Sequence, residues 1–318
     1  MPLAVPSPDT PAAMSLEADV VVIGAGAAGL AIAGALAHPA RRLRLVVLEP
    51  RAITPNPRRW LIAAEPGHGL IDLADARFDS VRLAGRSRAL SRLRIHHVRA
   101  GAVQQRALER LADSPLTRIE EGVRIGEITG RPGATYVETS LGRLSARAII
   151  DTRPGPAAAV AEGAWTQIAY AGVLDHVEAR PGFSLSGAFP DRGGVGLDQV
   201  VVLPGGEALI EAVRFAPPGQ KGTGVELRAA LLAGSLGADP ARLNLRRMVM
   251  PLSEPRSAPA GPAIEARAGV GGLRFSVGTA AVRLARWADG AAARFAETGR
   301  MSAPPGPPAQ ARAAAALA

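Results

Sequence analysis

The chain has 318 residues, of which 47% are hydrophobic and 20% are charged, so it has enough apolar material for a large core. This composition excludes a disordered chain and a coiled coil, and the absence of cysteine excludes disulfide frameworks, iron–sulfur clusters, cysteine zinc sites and thiol nucleophiles. The 37 basic and 28 acidic residues give a net charge of +9, which would suit nucleic acid or an anionic membrane surface. Because the arginines are scattered and no basic run is interleaved with aromatic residues, we expect no nucleic-acid partner.

The N-terminal region contains the longest apolar run. Residues 1–16 are rich in proline and alanine without a period and are predicted to be a loose leader. The run that follows, Ala18–Ala37, has the length of a membrane span, but four glycines interrupt it. Acidic residues precede it, whereas a signal peptide begins with a basic segment. We therefore expect a cytoplasmic protein, peripheral on the inner face of the membrane if it touches one.

A strand, a glycine-rich turn and a helix follow one another within this run. Asp19–Ile23 is a β-branched run typical of a buried parallel strand, and Leu30–Ala37 is an apolar helical stretch. A second strand is predicted over Leu43–Leu48 and ends in Glu49, 20 residues after the last glycine of the turn. This order of strand, G-x-G-x-x-G turn, helix, strand and acid predicts a dinucleotide-binding site.

Each residue of this pattern has a physical role in such a site. Gly24 permits the tight turn, Gly26 lets the backbone approach a pyrophosphate without a Cβ, and Gly29 allows close packing of helix and strand. The free N–H groups at the helix N-terminus would face the phosphates. Glu49 would accept hydrogen bonds from ribose hydroxyls, which argues against a 2′-phosphate and hence against NADP at this site.

The predicted dinucleotide is FAD rather than NAD. The glycine pattern begins near the N-terminus and a long, discontinuous remainder follows, as in flavoproteins of the glutathione-reductase and hydroxylase type. Such proteins also carry a later strand that ends in a small or acidic residue near the flavin, and Ala148–Asp151 fits this description. Asp151 is therefore a candidate cofactor-binding residue.

The remaining elements predict two regions. Helices are predicted over Val103–Leu111, Glu226–Leu236 and, after a turn at Gly278, to about Glu297. Strands are predicted over Thr117–Glu120, Thr135–Thr139, Leu144–Ile150, Trp165–Ala171, Val200–Leu203, Ala208–Phe215 and Leu273–Val277. The predicted fold class is α/β, with an FAD-binding, Rossmann-type parallel sheet and an inserted, mostly antiparallel β substrate-binding region. The FAD-binding domain is predicted over residues 17–155 and 262–298, the substrate-binding region over 156–261, and loose termini over 1–16 and 299–318.

Three further segments resemble the flavin-dependent lycopene cyclases of carotenoid synthesis. Ala146–Arg153 is similar to the family's "ARAVIDGRG" segment and is followed, as there, by a glutamine in a hydrophobic stretch, Gln167. Leu209–Phe215 is similar to the family's "LIEDTHY" segment, and Gly272–Thr279 resembles the segment around "PTTGYS" that precedes a helix. Asn56–Trp60 also resembles the family's "NHTW". The resemblance spans residues 18–296.

The resemblance implies conversion of lycopene, or a similar long isoprenoid, to a β-ring carotenoid without net redox change. It implies reduced FAD as cofactor, with NAD(P)H as reductant, and Gly278 as a flavin-contact residue. It implies that Glu211 protonates the terminal double bond, and burial beside an apolar polyene would raise the pKa of this carboxyl as proton donation near neutral pH requires. From the residues alone, a solvent-facing glutamate on an antiparallel strand is the alternative. An apolar carotenoid would reach the protein from a membrane, which fits peripheral docking of a basic chain on anionic lipid.

Two other classes of function remain open. A redox flavoenzyme, such as a ring hydroxylase or a prenyl reductase, would use the same fold without Glu211 as an acid. A non-catalytic flavoprotein paralogue is the other alternative, because Ala212 and Val213 stand where the family has a second acid and a threonine. The adjacent His96 and His97 show no ligand spacing, so no metal site is predicted.

Overall fold

The computed structural model describes residues 16–64, 70–83, 85–90, 92, 94–131, 134–153, 165–191, 194–216, 223–239, 244–252, 263–265, 277–302 and 304. Within these ranges the chain forms three β-sheets and four α-helices. The strands are β1 (Leu16–Ile23), β2 (Leu45–Glu49), β3 (Arg59–Ala64), β4 (Ala74–Phe78), β5 (Ser80–Leu83), β6 (Arg86–Ala89), β7 (Arg94–Arg99), β8 (Thr117–Glu121), β9 (Ile125–Arg131), β10 (Ala134–Thr139), β11 (Gly142–Asp151), β12 (Trp165–Leu174), β13 (Gly182–Asp191), β14 (Gly194–Val202), β15 (Ala208–Ala216), β16 (Arg246–Leu252) and β17 (Ile264–Glu265). The helices are α1 (Ala27–Leu36), α2 (Ala100–Ala112), α3 (Val225–Ser235) and α4 (Val277–Thr298).

The first sheet is the predicted Rossmann-type sheet. Its strand order is β8-β2-β1-β11-β10-β9, with β17 paired to β11. β8, β2, β1, β11 and β17 run parallel, whereas β10 pairs antiparallel with β11 on one side and with β9 on the other. Val20–Ile23 of β1 and Leu45–Leu48 of β2 are buried on both faces of the sheet, which is why these segments are uninterrupted Val, Ile and Leu runs.

Helices α1 and α4 pack together on one face of the first sheet. α1 contains five alanines and two glycines among its ten residues, and such small side chains let a neighbouring helix approach closely. Trp287 and Phe295 of α4 are buried in the same core as Leu30 and Ile32 of α1. One face of the first sheet is therefore covered in part by a helix from the opposite end of the described chain. Among the described helices, none combines the length and the apolar character that crossing a bilayer requires.

The second sheet is mostly antiparallel. Its strand order is β16-β12-β15-β14-β13-β5-β6, in which only the β13–β5 pair of the described strands is parallel. Helix α3 covers one face, where Ile210 and Ala212 of β15 pack beside Ala229 and Ala233. Because successive side chains of a strand alternate between faces, the opposite face carries Glu211. We call this opposite side the Glu211 face; its other members include Ala169, Leu185, Leu197, Leu209, Val213 and Phe215.

A third, three-stranded sheet of order β3-β7-β4 lies between α1 and the second sheet. On one side, Trp60 packs in a core that includes Ala27 of α1 and Val103 of α2. On the other side, Phe78 belongs to a cluster on the Glu211 face, where its ring centroid lies 6.4 Å from that of Phe183. The third sheet thus joins the helix of the glycine pattern to the Glu211 face.

Elements with a strong local pattern agree with the prediction to within a few residues. This holds for α2, α3 and the strands β8, β10, β11, β12 and β15. β14 begins six residues before its predicted start at Val200, and β3 to β6, β9, β13, β16 and β17 are absent from the prediction. Val277, the predicted end of a strand, is the first residue of α4, and residues 273–276 lie outside the described residues. Gly278 therefore lies in the first helical turn rather than in a turn before it, because a short mixed run has no period that separates a strand end from a helix start. β5 and β6 belong to the second sheet although they precede residue 156, and the predicted domain boundaries remain a prediction.

Candidate functional site

The glycine turn closes the carboxyl end of β1. Gly24 has a φ of +98°, a left-handed conformation that residues with a Cβ rarely adopt. Its N–H donates to the Leu48 carbonyl of β2 at 2.8 Å. A Cβ built on Gly24 would lie 2.7 Å from Thr152 Oγ1, and this hydroxyl donates to the Ile23 carbonyl at 2.7 Å. The turn is therefore held by β2 on one side and by the residue after β11 on the other.

Gly29 is tightly packed, whereas Gly26 borders open space. A Cβ built on Gly29 would lie 1.7 Å from the Gly24 carbonyl oxygen, so only glycine fits where α1 packs on the turn. Gly26 is the N-cap of α1, with φ −72° and ψ −175°, and apart from the adjoining backbone no described heavy atom lies within 4 Å of its Cβ position. The first N–H groups of a helix have no partner within the helix. Gly26 thus leaves open space in front of these donors.

A small pocket lies beside Gly26, between α1, α2 and β3. Leu30, Asn56, Trp60 and Gln104 are among the residues that line it. The Gln104 side chain holds the loop before β3, because its Oε1 accepts from the Asn56 N–H at 2.8 Å and its Nε2 donates to the Thr54 carbonyl at 3.0 Å. The segment around Asn56 is thereby fixed next to the glycine turn.

Glu49 ends β2 with its side chain only 13% exposed. Its Oε2 accepts from the Ala25 N–H at 2.6 Å, and its Oε1 accepts from the Arg51 N–H at 3.2 Å. The carboxylate therefore stabilises the glycine turn through charge-assisted hydrogen bonds. Each carboxylate oxygen can accept a second hydrogen bond, so a ribose hydroxyl could share it.

Asp151 ends β11 next to Ile23 of β1 and is buried. Its two carboxylate oxygens accept from the Arg153 guanidinium, at 3.0 Å from Nε and 2.8 Å from Nη2. This hydrogen-bonded pair raises the pKa of Arg153 above its ordinary value. Gly278 lies in the first turn of α4, and residues 266–276 before it lie outside the described residues, so its place in the cofactor site remains a prediction.

The carboxyl ends of β1, β2 and β11 meet at one edge of the first sheet and bring most of the predicted cofactor residues together. These residues are Gly24, Gly26, Gly29, Glu49 and Asp151. Open space at Gly26, a helix N-terminus behind it and a carboxylate at Glu49 are what a pyrophosphate and an adenosine ribose require. The residues present therefore fit an adenine dinucleotide.

Glu211 lies in the middle of the second sheet. On β15 it pairs with Ala171 of β12 on one side and with Gln199 of β14 on the other. Gln199 Nε2 donates a hydrogen bond to Glu211 Oε2 at 3.3 Å. The neighbouring positions along the same face are apolar and include Leu197 and Val213. Glu211 is therefore half-buried among largely hydrocarbon side chains.

Burial raises the pKa of Glu211 to about 7. The cause is desolvation, because moving an ionised carboxylate away from water is unfavourable. A carboxyl group with this pKa holds its proton near neutral pH and can still release it, which is the property of a general acid. Gln167 lies on the same face of β12, and its buried Oε1 has no hydrogen-bond partner among the described residues.

His96 and His97 are adjacent on β7 and both are buried. His97 Nδ1 pairs with Asp75, whose other carboxylate oxygen accepts from Arg99 Nε at 2.9 Å. Both ring nitrogens of His96 lack a partner within the described part of the chain, and burial lowers the pKa of this imidazole. The described residues contain no group of three or more side chains that could hold a metal ion.

Sequence reasoning missed three residues that hold these sites: Thr152, Gln199 and Gln104. Thr152 follows Asp151 directly, and its contact with Gly24 results from the register between β1 and β11, so pairing those two strands would have indicated it. Gln199 and Gln104 act through contacts between elements that are distant in the sequence, for which no local pattern exists.

A family model described as lycopene cyclase protein matches residues 19–187. The matched region includes the glycine turn, Glu49 and Asp151, and it ends before Glu211. A search of curated proteins gave no match.

Solved structures with the same fold include several flavoproteins. The p-nitrophenol 4-monooxygenase PnpA of Pseudomonas putida DLL-E4 is 17% identical, with a TM-score of 0.64 over 90% of this chain and 82% of that chain. A geranylgeranyl bacteriochlorophyll reductase-like protein of Thermoplasma acidophilum is 13% identical, with a TM-score of 0.63 over 95% of this chain and 83% of that chain. PqsL of Pseudomonas aeruginosa, described as a probable FAD-dependent monooxygenase, is 14% identical, with a TM-score of 0.62 and coverages of 89% and 88%. At these identities the likeness shows a shared fold.

Proposed function

The chain belongs to the lycopene cyclase protein family, and from this premise we propose that it cyclises lycopene, or a similar long isoprenoid, to a β-ring carotenoid. Proton addition starts the reaction and proton loss ends it, so there is no net redox change. The observation that carries the proposal is Glu211, a half-buried carboxyl group on an apolar sheet face whose pKa is raised to about 7.

Glu211 is the proposed acid. Its proton adds to one carbon of the terminal double bond, and the other carbon becomes a tertiary carbocation. The electron pair of a neighbouring double bond then closes the ring, and the Glu211 carboxylate takes a proton from the new ring, which restores a double bond and regenerates the acid. Because Gln199 donates to Oε2, the neutral acid carries its proton on Oε1, which leaves that oxygen as the donor.

The Glu211 face also supports the proposal by its apolar character. Water would add to a carbocation and stop ring closure, so a cyclase must keep water away from the reacting carbons. Leu197 and Val213 on this face contribute hydrocarbon surface near the acid. The same desolvation that would protect the carbocation keeps Glu211 protonated near neutral pH.

FAD is the proposed cofactor, since the edge of the first sheet fits an adenine dinucleotide. The N-terminus of α1 at Gly26 would hold the pyrophosphate, Glu49 would bind the ribose, and Asp151 and Gly278 remain proposed flavin contacts. When bound in its reduced form, with NAD(P)H as the reductant, FAD would supply an electron-rich ring system that can stabilise positive charge.

Expression in a lycopene-accumulating bacterial host tests the proposal, with pigments separated by chromatography. The wild type should convert lycopene to γ- or β-carotene, and Glu211→Gln should abolish conversion. Glu178→Gln, which alters an exposed carboxyl group in the connection after β12, is the matched control and should convert lycopene normally. Unchanged lycopene, with the wild type soluble and holding flavin, would refute the proposed reaction and favour a non-catalytic or redox role.

A redox flavoenzyme is the second candidate. Two observations favour it: solved proteins with this fold are named as monooxygenases or as reductase-like, and the family match ends before Glu211. Such an enzyme would oxidise NAD(P)H in step with its substrate. Substrate-coupled NAD(P)H oxidation that survives in Glu211→Gln would establish this function in place of cyclisation.

A further inference from the structure

The β5–β6 hairpin forms a strongly basic edge of the second sheet. Arg82, Arg86 and Arg88 are all exposed, and the hairpin turns through Gly85, which has a φ of +80°. Among the described residues none of these three guanidinium groups forms an ion pair. The nearby acid at the base of the hairpin, Asp79, is already engaged by Arg77 and Arg94. The hairpin therefore presents positive charge that is not neutralised within the described protein.

Apolar side chains share one face of the hairpin with two of these arginines. Leu83 pairs with Arg86, and Val81 pairs with Arg88, so all four side chains project to the same side. Leu83 is 41% exposed. Arginines next to an exposed leucine match the boundary between lipid headgroups and acyl chains, where cations meet phosphate and apolar groups leave water.

A single row of paired positions connects this hairpin to Glu211. Arg86 pairs with Leu83, Leu83 with Leu185, Leu185 with Gln199, and Gln199 with Glu211. Four strand spacings separate the ends of the row, which corresponds to about 19 Å. The row lies on the Glu211 face, and apart from Gln199 the positions between Arg86 and the acid are leucines.

Charges on an edge strand also prevent two sheets from joining edge to edge. Acidic and basic side chains serve that purpose equally well, but the described hairpin carries arginine alone. The uniform sign, together with Leu83, favours an anionic partner that also has an apolar interior.

We propose that the β5–β6 hairpin docks on an anionic lipid surface, with Arg82, Arg86 and Arg88 on headgroup phosphates and Leu83 at the acyl boundary. An apolar substrate leaving the bilayer would then reach Glu211 along the row of leucines; this second step rests on the proposed function, whereas the docking does not.

Vesicle sedimentation with the purified full-length protein tests the docking. Vesicles of phosphatidylcholine with phosphatidylglycerol are compared with vesicles of phosphatidylcholine alone at low salt. The triple variant R82E/R86E/R88E is compared with R110E/R124E/R180E, which changes the net charge equally at exposed arginines elsewhere. Circular dichroism checks that both variants are folded.

The wild type should bind the anionic vesicles and not the neutral ones. R82E/R86E/R88E should bind at least about 100-fold more weakly, since each arginine near a lipid surface is worth about a factor of five. Leu83→Ser should weaken binding about tenfold through lost apolar contact, and R110E/R124E/R180E should bind nearly as the wild type does.

Retained binding by R82E/R86E/R88E would overturn the proposal and leave the arginines as edge protection. An equal loss in both triple variants would also overturn it, because net charge would then be the cause. Hairpin-dependent binding to nucleic acid instead of vesicles would overturn it in favour of that partner. Hairpin-dependent vesicle binding by a protein that leaves lycopene unchanged would uphold the docking while refuting the proposed function.

Discussion

Gly26 and Gly29 are three residues apart, and we predict that replacing them has different effects: a substitution at Gly26 should abolish flavin binding, whereas one at Gly29 should lower stability. In Gly26→Val the extended backbone accepts any residue, and apart from the adjoining backbone no described heavy atom lies within 4 Å of the Cβ position. The free energy of unfolding should therefore change by less than about 1 kcal/mol. The valine would, however, fill the space in front of the α1 N-terminus where the pyrophosphate is proposed to bind, so flavin should be lost on purification.

In Gly29→Ala the new Cβ would lie 1.7 Å from the Gly24 carbonyl oxygen, and contacts under 3.0 Å are essentially never seen for a Cβ. Either α1 or the turn must therefore move by about 1.3 Å or more inside a close-packed core. Overpacking of this kind costs about 1–3 kcal/mol. For a chain of 318 residues the unfolding entropy is about 0.67 kcal/mol/K, so the expected fall in Tm is roughly 1.5–4.5 °C.

Thermal unfolding of the flavin-free proteins, followed by circular dichroism, separates the two effects from the amount of flavin that copurifies. Gly26→Val should unfold as the wild type does but lack flavin, whereas Gly29→Ala should unfold at lower temperature. If Gly26→Val keeps its flavin, the space at Gly26 does not belong to the cofactor. If Gly29→Ala is as stable as the wild type, the helix and turn are not packed as described.

Three further substitutions test the rest of the site. Burial raises the pKa of Glu211 from its usual 4.5 to about 7, so the folded protein binds this proton more tightly than the unfolded chain does. The free energy of unfolding should therefore fall by about 3 kcal/mol as the pH rises from 4.5 to 7. Glu211→Gln should abolish this loss in urea unfolding at pH 4.5 and pH 8, and an identical pH dependence in both proteins would refute the pKa. Gln199→Leu removes a donor that favours the ionised carboxylate, so the pKa of Glu211 should rise further in a ¹³C NMR titration; no change would show that the hydrogen bond is absent in solution. Thr152→Val removes the hydroxyl that donates to the Ile23 carbonyl and should cost about 1 kcal/mol in denaturant unfolding, and wild-type stability would contradict its role in holding the turn.

The glycine turn was predictable because its signals are local. A buried parallel strand has an uninterrupted apolar run, and the positions of Gly24, Gly26, Gly29 and Glu49 follow from the spacing of one strand–helix–strand unit. The Rossmann-type sheet was predictable for the same reason. That α4 covers this sheet was predictable only in outline, since α4 and the helix α1 that it contacts are separated by most of the sequence.

The surroundings of Glu211 were less accessible to sequence reasoning. That Gln199 lies opposite the acid depends on the register between β14 and β15, and a shift of one residue would place a different side chain there. β13 contains two glycines and a proline and its ladder shifts between Ser186 and Phe189, so its local pattern is weak. The assignment of β5 and β6 to the second sheet has no local signal, because their partner strand comes much later in the chain.

That late partner has a consequence for how the chain is made. Leu83 pairs with Leu185, 102 residues further on, and at about 5–20 residues per second a ribosome needs about 5–20 s to bridge that interval. During this time the β5–β6 hairpin has emerged without its neighbouring strand, and its like charges discourage two nascent chains from associating. The interval is longer still between the synthesis of α1 and that of α4, which covers it. Both large sheets are therefore completed only after most of the polypeptide has been synthesised, the second sheet with β16 and the first with β17.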